Sequence, residues 1–487
     1  MNLAELAAVA RARWIAGDRR KGGEQVRGVA LDSRRVRPGE VFVCIRGTRT
    51  DGHRYIREAF QRGALAAVVE RPFRGDASVS GPLLMVADSR CALARISAAY
   101  FGYPAERLCV IGITGTKGKT TTAWMLKALL EAAGLKTGIL GTLGAEAGEG
   151  LENLANTTPD AFTIHRYFAK MIDTGCRCAV MEVSSQGIRE KRILGIPFAA
   201  GVFTCFGRDH IGPGEHRNMQ EYLECKARLF AQCRLCVGNV DDACFGRIFR
   251  YARGPVYGYS CKRGGNRILR AERIAFPEGE DCTVFTAGPK TFRLGMPGLF
   301  NVYNALAAVQ TAVCLGVPVK EEALETVRVR GRMERVSTGK NIACYIDYAH
   351  NALSLEKALE TLRKYTKGRL IVVFGCGGNR SGSRRAQMGE VAGRLADITI
   401  LTSDNPRLES PEAILGDIGA GIRKTGGIWY AVPDRREAVK KALGLARPGD
   451  TVLVAGKGHE TYQDVGGVRL PMDDRELIRD AWKERKD

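Results

Sequence analysis

Three features of the sequence predict an α/β protein of several domains built on parallel sheets. Strand-like apolar runs alternate with helical patterns through most of the chain, a glycine-rich turn joins one such run to a helix, and 487 residues exceed one ordinary core. The first expected block, residues 1–105, carries short strands at Val41 to Ile45, Ala66 to Val69 and Leu84 to Val86. The second, 106–330, opens on the run Leu108 to Thr114 and adds runs at Ala179 to Val183 and Gly201 to Thr204. The third, 331–487, repeats the pattern with Leu370 to Phe374, Ile398 to Thr402 and Thr451 to Ala455. Tyr103-Pro104 marks the first boundary, because the residue before a proline is pushed out of the helical region. The stretch from Arg328 to Gly331 marks the second.

Composition narrows the class. A hydrophobic fraction of 45% and a mean hydropathy of −0.15 are those of a globular chain. No apolar run of about 18 residues occurs, so no membrane insertion is expected. Near Met1, Glu5 interrupts a short Ala-rich run and Arg11, Arg13, Arg19 and Arg20 follow it, the reverse of a secretory signal. A cytoplasmic monomer is therefore expected. The 15 cysteines scatter over apolar and helical segments, which suits reduced thiols better than a disulfide framework. Cys233 and Cys236 form a C-x-x-C with Cys225 nearby, but no second pair stands at zinc-site spacing, so buried structural thiols are expected. The formal net charge of +21 favours polyanions in general. Lys and Arg nevertheless spread over the whole length, without a basic tail or an aromatic-basic motif, and no nucleic acid is expected as partner.

The strongest local signal is Gly112-Ile-Thr-Gly-Thr-Lys-Gly-Lys-Thr120, between an apolar run and the helical pattern Thr121 to Ala133. That is the strand–loop–helix setting of a phosphate-binding loop. Gly115 and Gly118 let the backbone approach phosphates closely, and successive N–H groups and the helix N-terminus supply positive potential. Lys119 can reach the β and γ phosphates, and the Thr120 hydroxyl can ligate Mg²⁺. The spacing differs from the common form, because position 113 is Ile rather than Gly.

The compact Gly-Thr-Lys-Gly-Lys-Thr loop resembles that of the Mur ligase family, and motifs over essentially the whole chain carry the same resemblance. It is most similar to members that add diaminopimelate to a nucleotide-linked muramoyl dipeptide. The resemblance implies three domains: an N-terminal UDP-substrate domain, a central P-loop ATPase domain and a Rossmann-like C-terminal domain that binds the amino acid. It assigns ATP to Gly115, Thr116, Lys117, Gly118, Lys119, Thr120 and Thr121, with Asn301 and Asn304 on the adenine side. Arg332, Asp347 and His350 belong to the part that closes over ATP. Ser33, Asn156, Thr157, Thr158, Ser184 and Arg192 match contacts to the UDP-linked substrate. Lys119, Glu182, His210 and Lys226 match the catalytic set. Thr120, Glu182, His210 and Lys226, the last as a carbamate (N6-carboxylysine), match ligands of about two Mg²⁺ ions. Taken alone, Lys226 reads as a solvent-facing lysine on an amphipathic helix.

The segment Asp404-Asn405-Pro406-Arg407 reads locally as a turn after a strand, one that presents an arginine fork able to bind a carboxylate. In the resembling enzymes it accompanies meso-diaminopimelate, and Arg380, Gly456 and Glu460 match further contacts. The implied reaction is ATP-dependent amide-bond formation on UDP-MurNAc-L-Ala-D-Glu, through an acyl phosphate. The chain departs from the family pattern at Gln186, at Ile211 to Arg217 and at Asn351-Ala-Leu353. A Mur-type paralogue that adds L-lysine or another amine is one alternative, and a basic P-loop ATPase that binds nucleic acid is another.

Overall fold

The computed structural model describes all residues except 48–49, 73–80, 213–214, 278–279, 339–341, 380–381 and 485–487. The chain divides into two compact units, Met1–Arg270 with Leu306–Lys320, and Ala271–Ala305 with Glu321–Asp487.

The first unit contains two sheets. Strands β1 (Arg13–Ala16), β2 (Gly28–Ala30), β3 (Glu40–Val43), β4 (Ala66–Val69) and β5 (Leu83–Met85) pair in the order β1-β5-β4-β3-β2. All pairs are parallel except β1 with β5. Alternation along β3 sends Val41 and Val43 to one core, with Leu3, Leu6 and Ile96, and Phe42 to the other, with Ile56. The helix Leu3–Ala10 starts at a capping box, Asn2 with Glu5, and Asp88 caps Ser89–Tyr100.

The larger sheet starts from β6 (Cys109–Thr114), β7 (Thr137–Gly141), β8 (Gly144–Glu146), β9 (Leu151–Glu152), β10 (Cys178–Glu182), β11 (Phe198–Phe203), β12 (Cys233–Asn239) and β13 (Val256–Ser260). Their order is β13-β12-β11-β6-β10-β7-β8-β9, parallel as far as β7 and antiparallel beyond it. Both faces of β6 are covered, which explains its uninterrupted apolar sequence. The chain leaves β6 towards β7 and later returns on the other side as β11. The carboxyl end of β6 is therefore a topological switch point, where open α/β sheets bind ligands.

In the second unit, Ala271 to Ala275 of β14 (Ile268–Ala275) pair antiparallel with β15 (Thr283–Ala287), which pairs with β16 (Lys290–Leu294). The main sheet of that unit comprises β17 (Glu334–Val336), β18 (Ala343–Asp347), β19 (Leu370–Phe374), β20 (Ile398–Leu401), β21 (Trp429–Ala431) and β22 (Thr451–Ala455). Its order is β17-β18-β22-β19-β20-β21, parallel except at β17. Val372 and Leu453 face one core, and Ile371, Val373, Val452 and Val454 the other. A hairpin, β23 (Tyr462–Val465) and β24 (Val468–Pro471), completes it.

Three expected strands, Ala66–Val69, Leu370–Phe374 and Thr451–Ala455, match residue for residue. The expected strand from Gly201 begins earlier, at Phe198, and the helix expected from Thr121 begins at Lys119. Gly118, with φ 85°, turns the chain into that helix two residues sooner than the apolar pattern suggested.

Candidate active site

The loop after β6 is shaped by the strand beside it. Thr116 N donates to Cys205 O at 2.8 Å, and the Thr204 hydroxyl donates to Lys117 O at 2.6 Å. Gly115 has φ 153°, and a Cβ there would fall 1.8 Å from the Thr204 hydroxyl oxygen, so the close approach excludes a side chain. The helix Lys119–Ala132 then presents its N-terminus to the loop. Among its first residues, Lys119, Thr120 and Thr121 follow the loop directly, and Thr120 and Thr121 are buried.

Two lysines converge on one carbonyl. Lys119 Nζ and Lys226 Nζ each donate to Gly115 O at 2.9 Å. The sequence alone reads Lys226 as solvent-facing; the structure corrects this, for its residue is only 2% exposed. The helix Met219–Ala227 turns Lys226 inward together with Tyr222, one helical turn before it, whose ring lies 4.6 Å from the ammonium. Burial, and then the Lys119 charge, push Lys226 well below the usual lysine value. That shift favours the neutral amine, the form able to attack carbon dioxide. Lys117 pairs with Asp209 at 3.2 Å.

Glu182, at the end of β10, is the hub on the other side of the loop. Its carboxylate accepts from Thr120 Oγ1 (3.0 Å), Thr142 N (2.8 Å) and Thr142 Oγ1 (3.1 Å). The Thr158 hydroxyl donates to Glu182 O at 2.8 Å and accepts from Ser184 N at 2.9 Å. Arg192 donates to Thr158 O at 2.5 Å and pairs with Glu190. Thr157 meets Thr142 at 3.0 Å between hydroxyl oxygens. Six of the expected residues (Thr120, Thr157, Thr158, Glu182, Ser184 and Arg192) thus form one connected network, and Ser184 also caps the next helix through Gly187 N. Asn156 stands exposed nearby in sequence, and Ser33 lies buried in the other sheet's domain, donating to Glu58 at 2.7 Å.

His210 is placed differently. Its ring is half exposed and lies 3.3 Å from Glu215, and it makes no hydrogen bond to Glu182 or Thr120. The buried imidazole near the loop is instead His216, 2.8 Å from the Ser185 hydroxyl, with its ring packed 5.1 Å from Tyr222. Burial holds His216 down at about 4. Tyr222 and His216 escaped the motif reading, although the four-residue spacing of Tyr222 from Lys226 was an available signal. Thr120 and Glu182 supply oxygen donors suited to magnesium; no group of three or more His, Cys, Asp or Glu able to hold a metal exists among the described residues. A carbamate on Lys226 would add the anionic oxygens that an unmodified lysine lacks.

In the second unit, Asn301 and Asn304 are buried early in the helix Leu299–Cys314, linked by a 3.1 Å hydrogen bond. Arg332 stacks over Tyr348 at 4.7 Å, and His350 packs on the same ring at 4.6 Å. Asp347 ends β18 and accepts from Met333 N at 2.8 Å.

The expected amino-acid residues from Asp404 to Arg407, with Gly456 and Glu460, follow the carboxyl ends of β20 and β22. A Cβ on Gly456 would lie 2.5 Å from Asp404 Oδ2, so that carboxylate rests directly on the glycine. Asn405 donates to Glu460 at 3.0 Å, and Arg407 donates to Gly378 O at 2.6 Å. Pro406 is buried between them in sequence. Lys457, fully buried, donates to Asn405 Oδ1 at 2.8 Å and pairs with Glu460 at 2.5 Å. Burial raises the Asp404 carboxyl above its usual value, against the pull of Lys457 and Arg435. Arg380 lies outside the described residues. Cys225, Cys233 and Cys236 are buried, and burial lifts the Cys236 thiol to about 12.

A phosphate loop with two lysines beside it, and a charged cluster at the edge of a separate parallel sheet, define a nucleotide-dependent ligase. Residues 113–312 match the Mur ligase middle domain, residues 331–458 the Mur ligase glutamate ligase domain and residues 25–100 the Mur ligase family catalytic domain. The chain belongs to the Mur ligase family. It is 40% identical over 489 residues, 94% of each chain, to the UDP-N-acetylmuramoyl-L-alanyl-D-glutamate--2,6-diaminopimelate ligase of Geobacter metallireducens. The Aquifex aeolicus enzyme of the same name is 40% identical over 461 residues, again 94% of each chain. A solved structure of a ligase with that name superposes with a TM-score of 0.66 at 28% identity, covering 99% of both chains. The MurF ligase of Thermotoga maritima in complex with ADP shares the fold, with a TM-score of 0.63 at 21% identity, over 94% of this chain and 97% of that one.

Proposed function

We propose that this chain adds meso-diaminopimelate to UDP-MurNAc-L-Ala-D-Glu at the expense of ATP, as a cytoplasmic, monomeric enzyme of peptidoglycan precursor synthesis. The observation that carries the reading is the joint presence of the Lys119–Lys226–Glu182 site and the Asp404–Arg407 cluster in a chain alike over its full length to ligases of that name. The domain limits that go with it are 1–105 for the UDP-linked substrate, 106–330 for ATP and 331–487 for the amino acid.

The substrate carboxylate attacks the γ-phosphorus of ATP; the P–O bond to ADP breaks and an acyl phosphate forms. Lys119 and the loop N–H groups of Gly115 to Thr120 offset charge on the transferring phosphoryl group. Thr120, Glu182, His210 and the carbamate of Lys226 would hold magnesium, which supplies further charge neutralisation when bound. To become that carbamate, the neutral Lys226 amine forms an N–C bond to carbon dioxide and releases one proton. The incoming amine then attacks the acyl carbon, phosphate leaves, and the amine's proton is lost to solvent. Arg407 suits the carboxylate and Glu460 the ammonium of the distal centre of diaminopimelate. Asn301, Asn304, Arg332, Asp347 and His350 are assigned to ATP, Arg380 to the amino acid, and Ser33, Asn156, Thr157, Thr158, Ser184 and Arg192 to the UDP-linked substrate.

Phosphate release by the purified chain tests the reading. Release should require ATP, Mg²⁺, UDP-MurNAc-L-Ala-D-Glu and diaminopimelate together. Release with L-lysine in place of diaminopimelate contradicts the assigned substrate, and release stimulated by DNA or RNA instead contradicts the class.

A further inference from the structure

The amino-acid cluster is framed by a buried ion pair that the proposed chemistry does not use. Arg435 opens the helix Arg435–Leu445 and Asp474 opens Asp474–Glu484, and their side chains are 2% and 0% exposed. The guanidinium engages Asp474 through two parallel bonds, Nε at 2.7 Å and Nη2 at 2.8 Å. Two of its three remaining protons reach backbone: Nη2 donates to Ala455 O at 3.0 Å, and Nη1 to Ser403 O at 3.3 Å. Ala455 precedes Gly456 and Ser403 precedes Asp404. One planar fork therefore ties together the two chain reversals that bring Asp404 against Gly456.

A buried ion pair is a poor source of stability, since desolvation cancels most of its attraction and apolar residues of similar size do as well. A fork that directs two of its three spare protons to two carbonyls of one cluster fits a geometric task better. We infer that Arg435, held in place by Asp474, is a positioning residue that sets the spacing of Asp404 and Gly456 and so the fit of the amino-acid substrate. This rests on the reading of the Asp404 to Glu460 cluster as the amino-acid pocket. It makes the C-terminal helix part of the pocket's frame. The Arg435 charge also opposes the effect of burial on Asp404. Lysine at 435 keeps the charge but cannot span Asp474 and both carbonyls, because it lacks the planar fork.

Steady-state kinetics of the full chain, with each substrate varied in turn, provide the test. The variants are Arg435→Lys, Asp474→Asn and the double change Arg435→Met with Asp474→Leu. The double variant leaves no unpaired buried charge, so its folding does not depend on the pair. Each is expected to raise the KM for diaminopimelate roughly tenfold or more, the scale of a small misplacement near a reacting group. The KM for the UDP-linked substrate should stay unchanged, and competing L-lysine should take a larger share of product. A double variant with unchanged diaminopimelate KM overturns the inference. So does a uniform loss towards every substrate that tracks the folded fraction by circular dichroism, which assigns the pair to stability alone. The wild-type chain run alongside separates the two readings. If it turns over another amine but not diaminopimelate, the proposed function fails, and the same KM comparison made with that amine still decides the role of Arg435.

Discussion

The phosphate loop is one short segment whose shape is set by glycines and by hydrogen bonds to the adjacent strand end. The amino-acid cluster instead gathers side chains from two strand ends, those of β20 and β22, with the Gly378 carbonyl after β19, through charged and amide groups bonded to one another. The loop's chemistry is therefore carried largely by backbone N–H groups and two lysines, which any substrate carboxylate can use. The cluster holds carboxylates, amides and one arginine fork, which on the proposed function discriminate between amines. Damage to the first should stop turnover, whereas damage to the second should change what is turned over.

The sharpest break of that contrast is Lys119→Ala, which should lower kcat about a thousandfold with every amine tested, the upper scale for loss of one charge-stabilising donor. A loss confined to diaminopimelate would place Lys119 in the wrong region. Lys226→Ala should cost about a hundredfold in kcat by the same argument. Wild-type activity should fall in carbonate-free buffer and return with bicarbonate, and an activity indifferent to bicarbonate would remove the carbamate from the account.

A third prediction concerns stability of the first unit rather than rate. His165, buried on the helix Ala161–Asp173, is held at about 4 rather than 6.5 by burial. The unfolded state therefore binds the proton first, so stability from the neutral ring is complete above about pH 6.5 and is lost as pH falls through 4. The full difference is roughly 3 kcal/mol. Urea midpoints of His165→Leu should decline less between pH 7 and 4 than those of the wild type, and parallel declines would contradict this. The smallest effect is expected from Arg407→Lys, which keeps charge and loses the fork. It should reduce kcat/KM for diaminopimelate about tenfold while kcat/KM for ATP is unchanged.

The two regions also differed in how well they could be read from sequence. The loop was legible because its sequence signature lies within nine residues, Gly112 to Thr120, although Thr204 and Cys205, which also shape it, lie far along the chain; strands buried on both faces, such as Leu370–Phe374, announce themselves as unbroken apolar runs. The edge strand β1 and the antiparallel ladder β14 to β16 were not anticipated; β1 has no fully buried residue, and β14 to β16 mix buried with partly or fully exposed residues. The burial of Lys226 was hidden, since a lysine on a helix gives no sign of facing inward until Tyr222 and Gly115 are seen around it. The motif Asp404 to Arg407 marked a pocket, but its partners Gly456, Lys457 and Gly378 are joined to it only by the sheet order β22-β19-β20. Likewise nothing local to Arg435 or Asp474 indicates that they meet.

On the proposed function the chain couples ATP cleavage to attachment of one diaminopimelate residue. The direct measurement is the mass of the nucleotide-linked product formed from equal amounts of meso-diaminopimelate and L-lysine, with ADP counted in the same reaction. Such coupling yields one product, heavier by a single diaminopimelate residue, with one ADP formed for each. A product carrying lysine, or ADP formed without any heavier nucleotide product, would contradict it.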